Sequence, residues 1–215
     1  MTAKPVLNRA QFHTSVAQLR DLPYSRAEIA FAGRSNAGKS SAINLLTRKN
    51  RLAYTSKTPG RTQLINFFEL DADTYLVDLP GYGYAKVPPA VKAKWESLLS
   101  RYLQEREALV GMVLIMDARH PLTPLDRQML DWFTPTGKPV HILLSKADKL
   151  SNSERTLTLR RVEQELAALD RVSVQLFSSL SRQGAEDAAA LIEGWLAQAC
   201  QPDSQPAEPA GEPQQ

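Results

Sequence analysis

Apolar residues along this chain fall into short runs with two different periodicities. Continuous or alternating apolar runs predict buried strands, and apolar residues three and four positions apart predict helices. The predicted strands cover residues 28–32, 63–70, 74–77, 109–116, 140–144 and 172–177. The predicted helices cover residues 41–46, 91–105, 123–133, 153–169 and 185–199.

The order of these elements predicts an α/β fold. From residue 109 onward, strands and helices alternate, which is typical of a parallel sheet covered by helices on both faces. Asp71-Ala72-Asp73 reads as a hairpin turn between the second and third strands, so one strand should run antiparallel to the others. We therefore expect a mostly parallel six-stranded sheet with one antiparallel strand.

The two ends of the chain differ from the middle. Phe12, Val16 and Leu19 have helical spacing and predict a short helix docked on the domain. Residues 201–215 are rich in Pro and Gln and have no apolar face to bury, which predicts a disordered tail. The predicted organisation is an amino-terminal extension (1–27) packing on a domain (28–199), followed by the tail (200–215).

The amino-acid composition says more about the cellular compartment of the protein than about its activity. A single cysteine, Cys200, excludes an internal disulfide and fits a reducing compartment. The longest apolar run, residues 109–116, is far shorter than the ~20 residues of a membrane helix, and no signal peptide opens the chain. We therefore expect a cytoplasmic protein with no membrane partner. The net charge of +3 is compatible with nucleic acid but does not predict it.

The most informative stretch is the run from Gly33 to Ser40, which fits the phosphate-binding pattern G-x-x-x-x-G-K-[ST]. It stands between a predicted strand and a predicted helix, as that loop requires. Such a turn aims backbone N–H groups at one anion, and the positive end of the helix adds to the attraction. The alternative, a Gly-containing turn with an exposed lysine, lacks this context.

Two further segments have the side chains that a metal–triphosphate complex needs. Asp78-Leu79-Pro80-Gly81 gives D-x-x-G at the end of a strand, where the carboxylate can hold a Mg²⁺-bound water and the Gly81 N–H can reach a terminal phosphate. Ser40 and Thr62 are the candidate hydroxyl ligands, because Mg²⁺ prefers hard oxygen donors. The alternative for Thr62 is an ordinary loop residue.

Base recognition is predicted at the ends of the last two strands. Asp148, in Ser145-Lys146-Ala147-Asp148, can accept hydrogen bonds from guanine N1–H and the 2-amino group, which adenine cannot supply. Lys146 would lie over the base plane, and backbone N–H groups of Ser178-Ser179-Leu180 can reach guanine O6. The alternative for this motif is a solvated K-x-D pair at a strand end. Because such pairs are common, the motif is evidence for base recognition only through its position in the chain.

These motifs together resemble the EngB/YihA/YsxC family of bacterial GTPases, within the TrmE–Era–EngA–YihA–Septin class. The resemblance covers roughly residues 8–199 and is most specific at 33–41, 58–63 and 78–85. It implies a Ras-like GTP-binding domain, Mg²⁺, and a role in large ribosomal subunit assembly with effects on cell division and septation. The implied catalytic residues are Lys39, Asn36, Thr62 and Gly81. The implied nucleotide contacts are Gly33, Arg34, Ser35, Asn36, Ala37, Gly38, Lys39, Ser40, Ser41, Gly60, Arg61, Thr62, Asp78, Leu79, Pro80, Gly81, Ser145, Lys146, Ala147, Asp148, Ser178, Ser179 and Leu180.

The chain departs from common GTPase patterns at three positions. Ser145 replaces the usual Asn, Leu180 brings no charge to the base, and Tyr82 stands where Ras-like proteins have a water-orienting Gln. We therefore expect slow hydrolysis that needs help from a partner. Asn36 suggests potassium as a further aid, since relatives in the larger class coordinate K⁺ there. A purely local hydrogen bond is the alternative for Asn36.

The leading hypothesis is a monomeric GTP-operated switch that orders residues 47–62 and 81–90 and presents basic side chains to ribosomal RNA and proteins. A small ATP-using phosphotransferase is a second hypothesis, but Asp148 argues for guanine and no acceptor lid is visible. A third is a structural RNA-binding protein that uses the nucleotide only for stability.

Overall fold

The structure is a computed structural model that describes residues 5–54, 64–83 and 89–201. Its strands are β1 Gln11–Val16, β2 Ala27–Gly33, β3 Ile65–Asp71, β4 Thr74–Asp78, β5 Leu109–Asp117, β6 Val140–Ser145 and β7 Val172–Leu176. Its α-helices are α1 Lys39–Leu46, α2 Pro89–Glu105, α3 Pro124–Phe133, α4 Asn152–Glu165 and α5 Ala185–Ala199. Across these described residues, no helix has the length and apolar character needed to cross a membrane.

The strands form one seven-stranded sheet in the order β1-β3-β4-β2-β5-β6-β7. Strands β4, β2, β5, β6 and β7 pair in parallel, whereas β3 is antiparallel to both of its neighbours. The α/β class and the single reversed strand are thus confirmed, and the predicted count of six strands is wrong.

The additional strand, β1, comes from the amino-terminal segment. The helix predicted there is wrong: Phe12 and Val16 lie in β1, which pairs antiparallel with β3, and Leu19 begins a separate 3₁₀ turn, Leu19–Asp21. The helical spacing is misleading because Phe12 is 59% exposed and therefore does not share a buried face with Val16. Part of the segment 1–27 is thus a sheet strand.

Helices cover both faces of the sheet. On β2, Ile29 and Phe31 face the layer formed by α1 and α5, while Ala30 and Ala32 face α2, α3 and α4. Because β2 is buried on both sides, its sequence reads as a continuous apolar run, as expected for a central parallel strand. The carboxyl ends of β2, β4, β5, β6 and β7 consequently lie along one edge of the sheet, where open α/β sheets bind ligands.

Candidate functional site

The phosphate-binding loop follows β2 and leads directly into α1, as predicted. Gly38, at the amino-terminal cap of α1, has φ of 103°, a left-handed value that suits glycine. At Gly33, a Cβ atom would lie 2.9 Å from the Ile115 carbonyl oxygen, so β5 leaves no space for a side chain there. Glycine is therefore required at the two positions for different reasons: backbone conformation at Gly38 and lack of space at Gly33.

Asn36 stands at the turn of this loop. Its φ of 65° lies in the left-handed region, which Asn adopts more readily than most residues, and its side chain is exposed. The Ala37 N–H donates to the Arg34 carbonyl oxygen at 3.0 Å and closes the turn. The backbone geometry thus accounts for an Asn at this position, whatever the side chain contacts.

Lys39 and Asp78 form an ion pair across the site. The side chains are 10% and 7% exposed, so the charges are largely withdrawn from water. Asp78 belongs to a row of cross-strand partners, in which Ser15 donates to Asn66 Oδ1 at 2.7 Å and Asn66 Nδ2 lies 3.5 Å from Asp78 Oδ2. The phosphate-loop lysine and the D-x-x-G aspartate are therefore brought together, and β1 and β3 support the carboxylate.

The hydroxyl of Ser40 lies at the start of α1 and donates weakly to the Tyr54 carbonyl oxygen at 3.4 Å. Gly81 packs against the phosphate loop, where a Cβ atom on this glycine would lie 3.4 Å from the backbone of Ser35. Gly60, Arg61 and Thr62 lie outside the described residues, so their placement stays a prediction.

Ser145 ties the predicted base-binding segment to the phosphate loop. Its hydroxyl donates to the Ala37 carbonyl oxygen and lies 3.1 Å from the Met116 carbonyl oxygen. A short side chain reaches Ala37 because the loop passes close by: a Cβ atom on Gly38 would lie 3.7 Å from the Ser145 hydroxyl. Ser145 thus links the two loops directly, although it lacks the length of the usual Asn.

Lys146 joins three strand ends. Its ammonium group donates to the Asn36 carbonyl oxygen at 2.6 Å and to Asp117 Oδ2 at 2.9 Å. The backbone of Lys146 has φ of 56° and leads into the 3₁₀ turn Ala147–Lys149. These contacts extend the aliphatic stem of Lys146 across the space beside the phosphate loop.

Sequence reasoning missed Asp117 and Arg119. Arg119 donates to the Asp117 carboxylate from Nε at 2.9 Å and from Nη2 at 2.6 Å, in addition to the Lys146 contact. Burial would raise the pKa of Asp117, but the bonds from Arg119 and Lys146 outweigh it and hold the pKa well below its usual range. The sequence did contain a signal for Asp117, because it is a carboxylate at the end of the buried strand β5 and the other predicted site residues also lie at or after strand ends.

Asp148 and Ser178 form the outer part of the site. The Ser178 hydroxyl donates to Asp148 Oδ1 at 2.6 Å, which lowers the pKa of Asp148 and keeps it ionised. The same hydroxyl accepts from the Leu180 N–H at 3.2 Å, and the Ser178 N–H donates to the Gln183 carbonyl oxygen at 3.1 Å. Leu180 is 78% exposed. The two predicted base-binding segments are therefore hydrogen-bonded to each other.

Comparisons with known proteins agree with this geometry. Residues 28–146 match the family model described as 50S ribosome-binding GTPase. The probable GTP-binding protein EngB of Thiobacillus denitrificans is 88% identical over 197 residues, which cover 92% of this chain and 96% of that protein. Its counterpart from Aromatoleum aromaticum is 60% identical over 194 residues, covering 89% of this chain and 90% of that protein.

Solved structures share the fold at lower identity. The crystal structure of a probable GTP-binding protein engB has a TM-score of 0.65 at 23% identity, covering 80% of this chain and 100% of that one. Era in complex with MgGDPNP and nucleotides of 16S ribosomal RNA has a TM-score of 0.59 at 18% identity, covering 85% of this chain and 59% of that one. The strand-end loops and the high identity to curated relatives lead to one conclusion: this chain belongs to the EngB family of GTP-binding proteins, which are GTPases.

Proposed function

We propose that this GTPase is a GTP-operated switch that assists assembly of the large ribosomal subunit and is needed for normal cell division and septation. The observation that carries the proposal is the linked set of loops at one sheet edge, in which Ser145 and Lys146 bond to the phosphate loop. Such links give the base site and the phosphate site a fixed relative position. The family description, a ribosome-binding GTPase, supports the choice of partner.

Guanine is recognised, in this proposal, by Asp148 and by the loop after β7. Ser178 already occupies one oxygen of Asp148, so it orients the carboxylate toward the base edge. The N–H groups of Ser178 and Leu180 donate within the loop, which makes the intervening Ser179 N–H the donor we assign to guanine O6. The stem of Lys146 lies over the base plane.

Mg²⁺ is the metal that the donor set fits. The Ser40 hydroxyl and the Asp78 carboxylate are hard oxygen donors, and Asp78 would act through a bound water. Thr62 would supply a second hydroxyl in the triphosphate state. When bound, Mg²⁺ neutralises charge on the β- and γ-phosphates. Lys39 would then exchange its pairing with Asp78 for phosphate oxygens.

Hydrolysis should be slow without assistance, because residue 82 is a buried Tyr rather than a solvent-facing Gln. We propose that a ribosomal partner stimulates it and that K⁺ bound at the Asn36 amide oxygen supplies positive charge beside the phosphates. The test compares steady-state hydrolysis in potassium and in sodium at equal ionic strength, with Asn36→Ala alongside. Equal rates in both salts, with ribosomal particles present, would leave Asn36 a purely structural residue.

The ribosomal role predicts nucleotide-dependent binding. We expect co-sedimentation of the protein with purified large subunits in a non-hydrolysable GTP analogue, and much less in GDP. Ser40→Ala, which removes the proposed metal-ligating hydroxyl, is the control. This variant should bind large subunits equally weakly with either nucleotide. Equal wild-type binding in both nucleotides, or binding only to small subunits, would contradict the proposal.

We further propose that the protein acts as a monomer, since one chain supplies every nucleotide-binding motif. Its proposed place of action is the cytoplasm.

A further inference from the structure

Tyr82, the residue after the D-x-x-G motif, is fixed to helix α3. Its side chain is buried, with the residue only 2% exposed, and its hydroxyl donates to Asp126 Oδ1 at 2.8 Å. Burial and the neighbouring Asp126 charge raise the pKa of Tyr82 well above its usual value, so the hydroxyl stays a donor. Tyr82 therefore cannot turn toward a nucleotide without losing a fully buried hydrogen bond.

Asp126 is itself held firmly at the start of α3. It is 1% exposed, and its second oxygen, Oδ2, accepts from the Thr123 N–H at 2.9 Å and the Thr123 hydroxyl at 2.7 Å. These bonds belong to the capping box of α3. Asp126 is thus a rigid acceptor, and Tyr82 is the only other residue among those described that bonds to its carboxylate.

The backbone of Tyr82 is held on the opposite side by the phosphate loop. Its carbonyl oxygen accepts from the Ser35 N–H at 2.7 Å, and its N–H donates to the Gly33 carbonyl oxygen at 3.4 Å. The chain continues through Gly83, whose φ of 84° suits glycine and where a Cβ atom would lie 3.1 Å from Leu125 of α3. Residue 82 is therefore clamped between the phosphate loop and α3.

We propose that Tyr82 is a positioning residue that discriminates between nucleotide states: its bond to Asp126 holds Gly81 against the phosphate loop, where the Gly81 N–H meets a terminal phosphate. The clamp fixes Gly81 close to Ser35. Losing the side-chain bond lets this segment move away, which weakens GTP binding and leaves GDP binding intact. The inference rests on the proposed contact of Gly81 with the γ-phosphate.

The test measures the affinities of the full chain for GDP and for a non-hydrolysable GTP analogue, both with Mg²⁺. Tyr82→Phe keeps the packed ring and removes only the hydroxyl. We expect the dissociation constant for the analogue to rise by about three- to tenfold. This is less than the full contribution of a hydrogen bond to a charged group, because the clamp transmits only part of that energy to the contact of Gly81 with the phosphate. The constant for GDP should change less than about twofold.

Tyr102→Phe is the matched control. Tyr102 is also fully buried, and its hydroxyl donates to a buried carboxylate, Glu28 Oε2, at 2.7 Å, but at the start of β2, away from the site. This variant should lose thermal stability without changing the ratio of the two affinities.

Three results would overturn the inference: an unchanged affinity ratio in Tyr82→Phe, a tighter GTP analogue in that variant, or an equal change of ratio in Tyr102→Phe. The wild-type protein reports separately on the proposed function. If wild type binds and hydrolyses GTP while Tyr82→Phe keeps the ratio, only the positioning role fails. If wild type fails to bind the analogue, the proposed switch itself fails.

Discussion

At the scale of single residues, the proposed base choice depends on the Asp148 carboxylate, which accepts a hydrogen bond from Ser178 that lowers its pKa. We expect Asp148→Asn to weaken GTP and to favour xanthosine triphosphate, whose 2-oxo group accepts from the new amide. A charge-assisted pair contributes about 1.5–3 kcal/mol, so the relative affinity should shift by more than about tenfold. Competition binding measures it. Asp170→Asn, exposed beyond the amino end of β7, is the control, and unchanged GTP affinity in Asp148→Asn would refute the assignment.

The two predicted hydroxyl ligands should act differently. Ser40 lies in the first turn of α1 and would contact Mg²⁺ with either nucleotide, so Ser40→Ala should weaken GDP and GTP binding alike. Thr62→Ala should weaken mainly the triphosphate complex, because its loop would reach the metal only in that state. Titrations with GDP and a GTP analogue, with and without Mg²⁺, distinguish the two. Equal losses for both nucleotides in Thr62→Ala would exclude the switch at this position.

At the scale of elements, the end of α2 is joined to the start of β2 through a buried carboxylate. Glu28 is 0% exposed and accepts from Arg106 Nε at 2.9 Å and from the Tyr102 hydroxyl at 2.7 Å. Arg106 also donates to the Pro23 carbonyl oxygen at 2.7 Å. This network lies at the edge of the sheet away from the nucleotide site and has a structural role.

Removing the Arg106 side chain should therefore destabilise the fold without changing the affinity for the nucleotide. Arg106→Met leaves Glu28 buried and without its charged partner, which costs about 3–5 kcal/mol in the free energy of unfolding. Arg101→Met, in the last part of α2, breaks only an exposed pair with Glu105 and should leave stability unchanged. Urea unfolding of both variants provides the comparison, and similar stabilities would show that the Arg106–Glu28 pair does not stabilise the fold.

At the scale of the whole molecule, stability should depend on pH through His141. This residue is 3% exposed, and its ring nitrogens lie 2.8 Å from the Ser173 hydroxyl and 2.8 Å from Gln175 Oε1. Burial lowers the pKa of His141, and the hydrogen bond with Gln175 only partly offsets this. The folded protein therefore binds fewer protons at this site than the unfolded chain does.

The free energy of unfolding should consequently fall as the pH drops below about 6.5, the pKa of an unfolded histidine. The loss is at most about 1.4 kcal/mol per pH unit for one group. Urea titrations between pH 5 and 8 measure it. His141→Gln should flatten the dependence in this range, whereas His120→Gln, at an exposed residue, should retain it. An unchanged slope in His141→Gln would assign the dependence to other groups.

The sequence by itself determined the features that depend on local order. The phosphate loop needs glycines at fixed spacing between a strand and a helix, so its residues are adjacent in the chain and the motif is readable. The central strands are buried on both faces, and their apolar runs therefore mark them clearly. Asp78 ends one such strand and Asp148 follows another, which was enough to place them at the same sheet edge.

Tertiary structure alone decided the features that depend on distant neighbours. β1 is an edge strand with only one paired side, so exposed Phe12 leaves no alternating pattern, and pairing with β3 determines its conformation. The Tyr82 bond to Asp126 joins residues 44 positions apart that no local pattern connects. Asp117 likewise acquires its role from Lys146, on the neighbouring strand end. Local sequence specifies what each loop can bind, whereas packing between elements decides which side chains hold those loops in place.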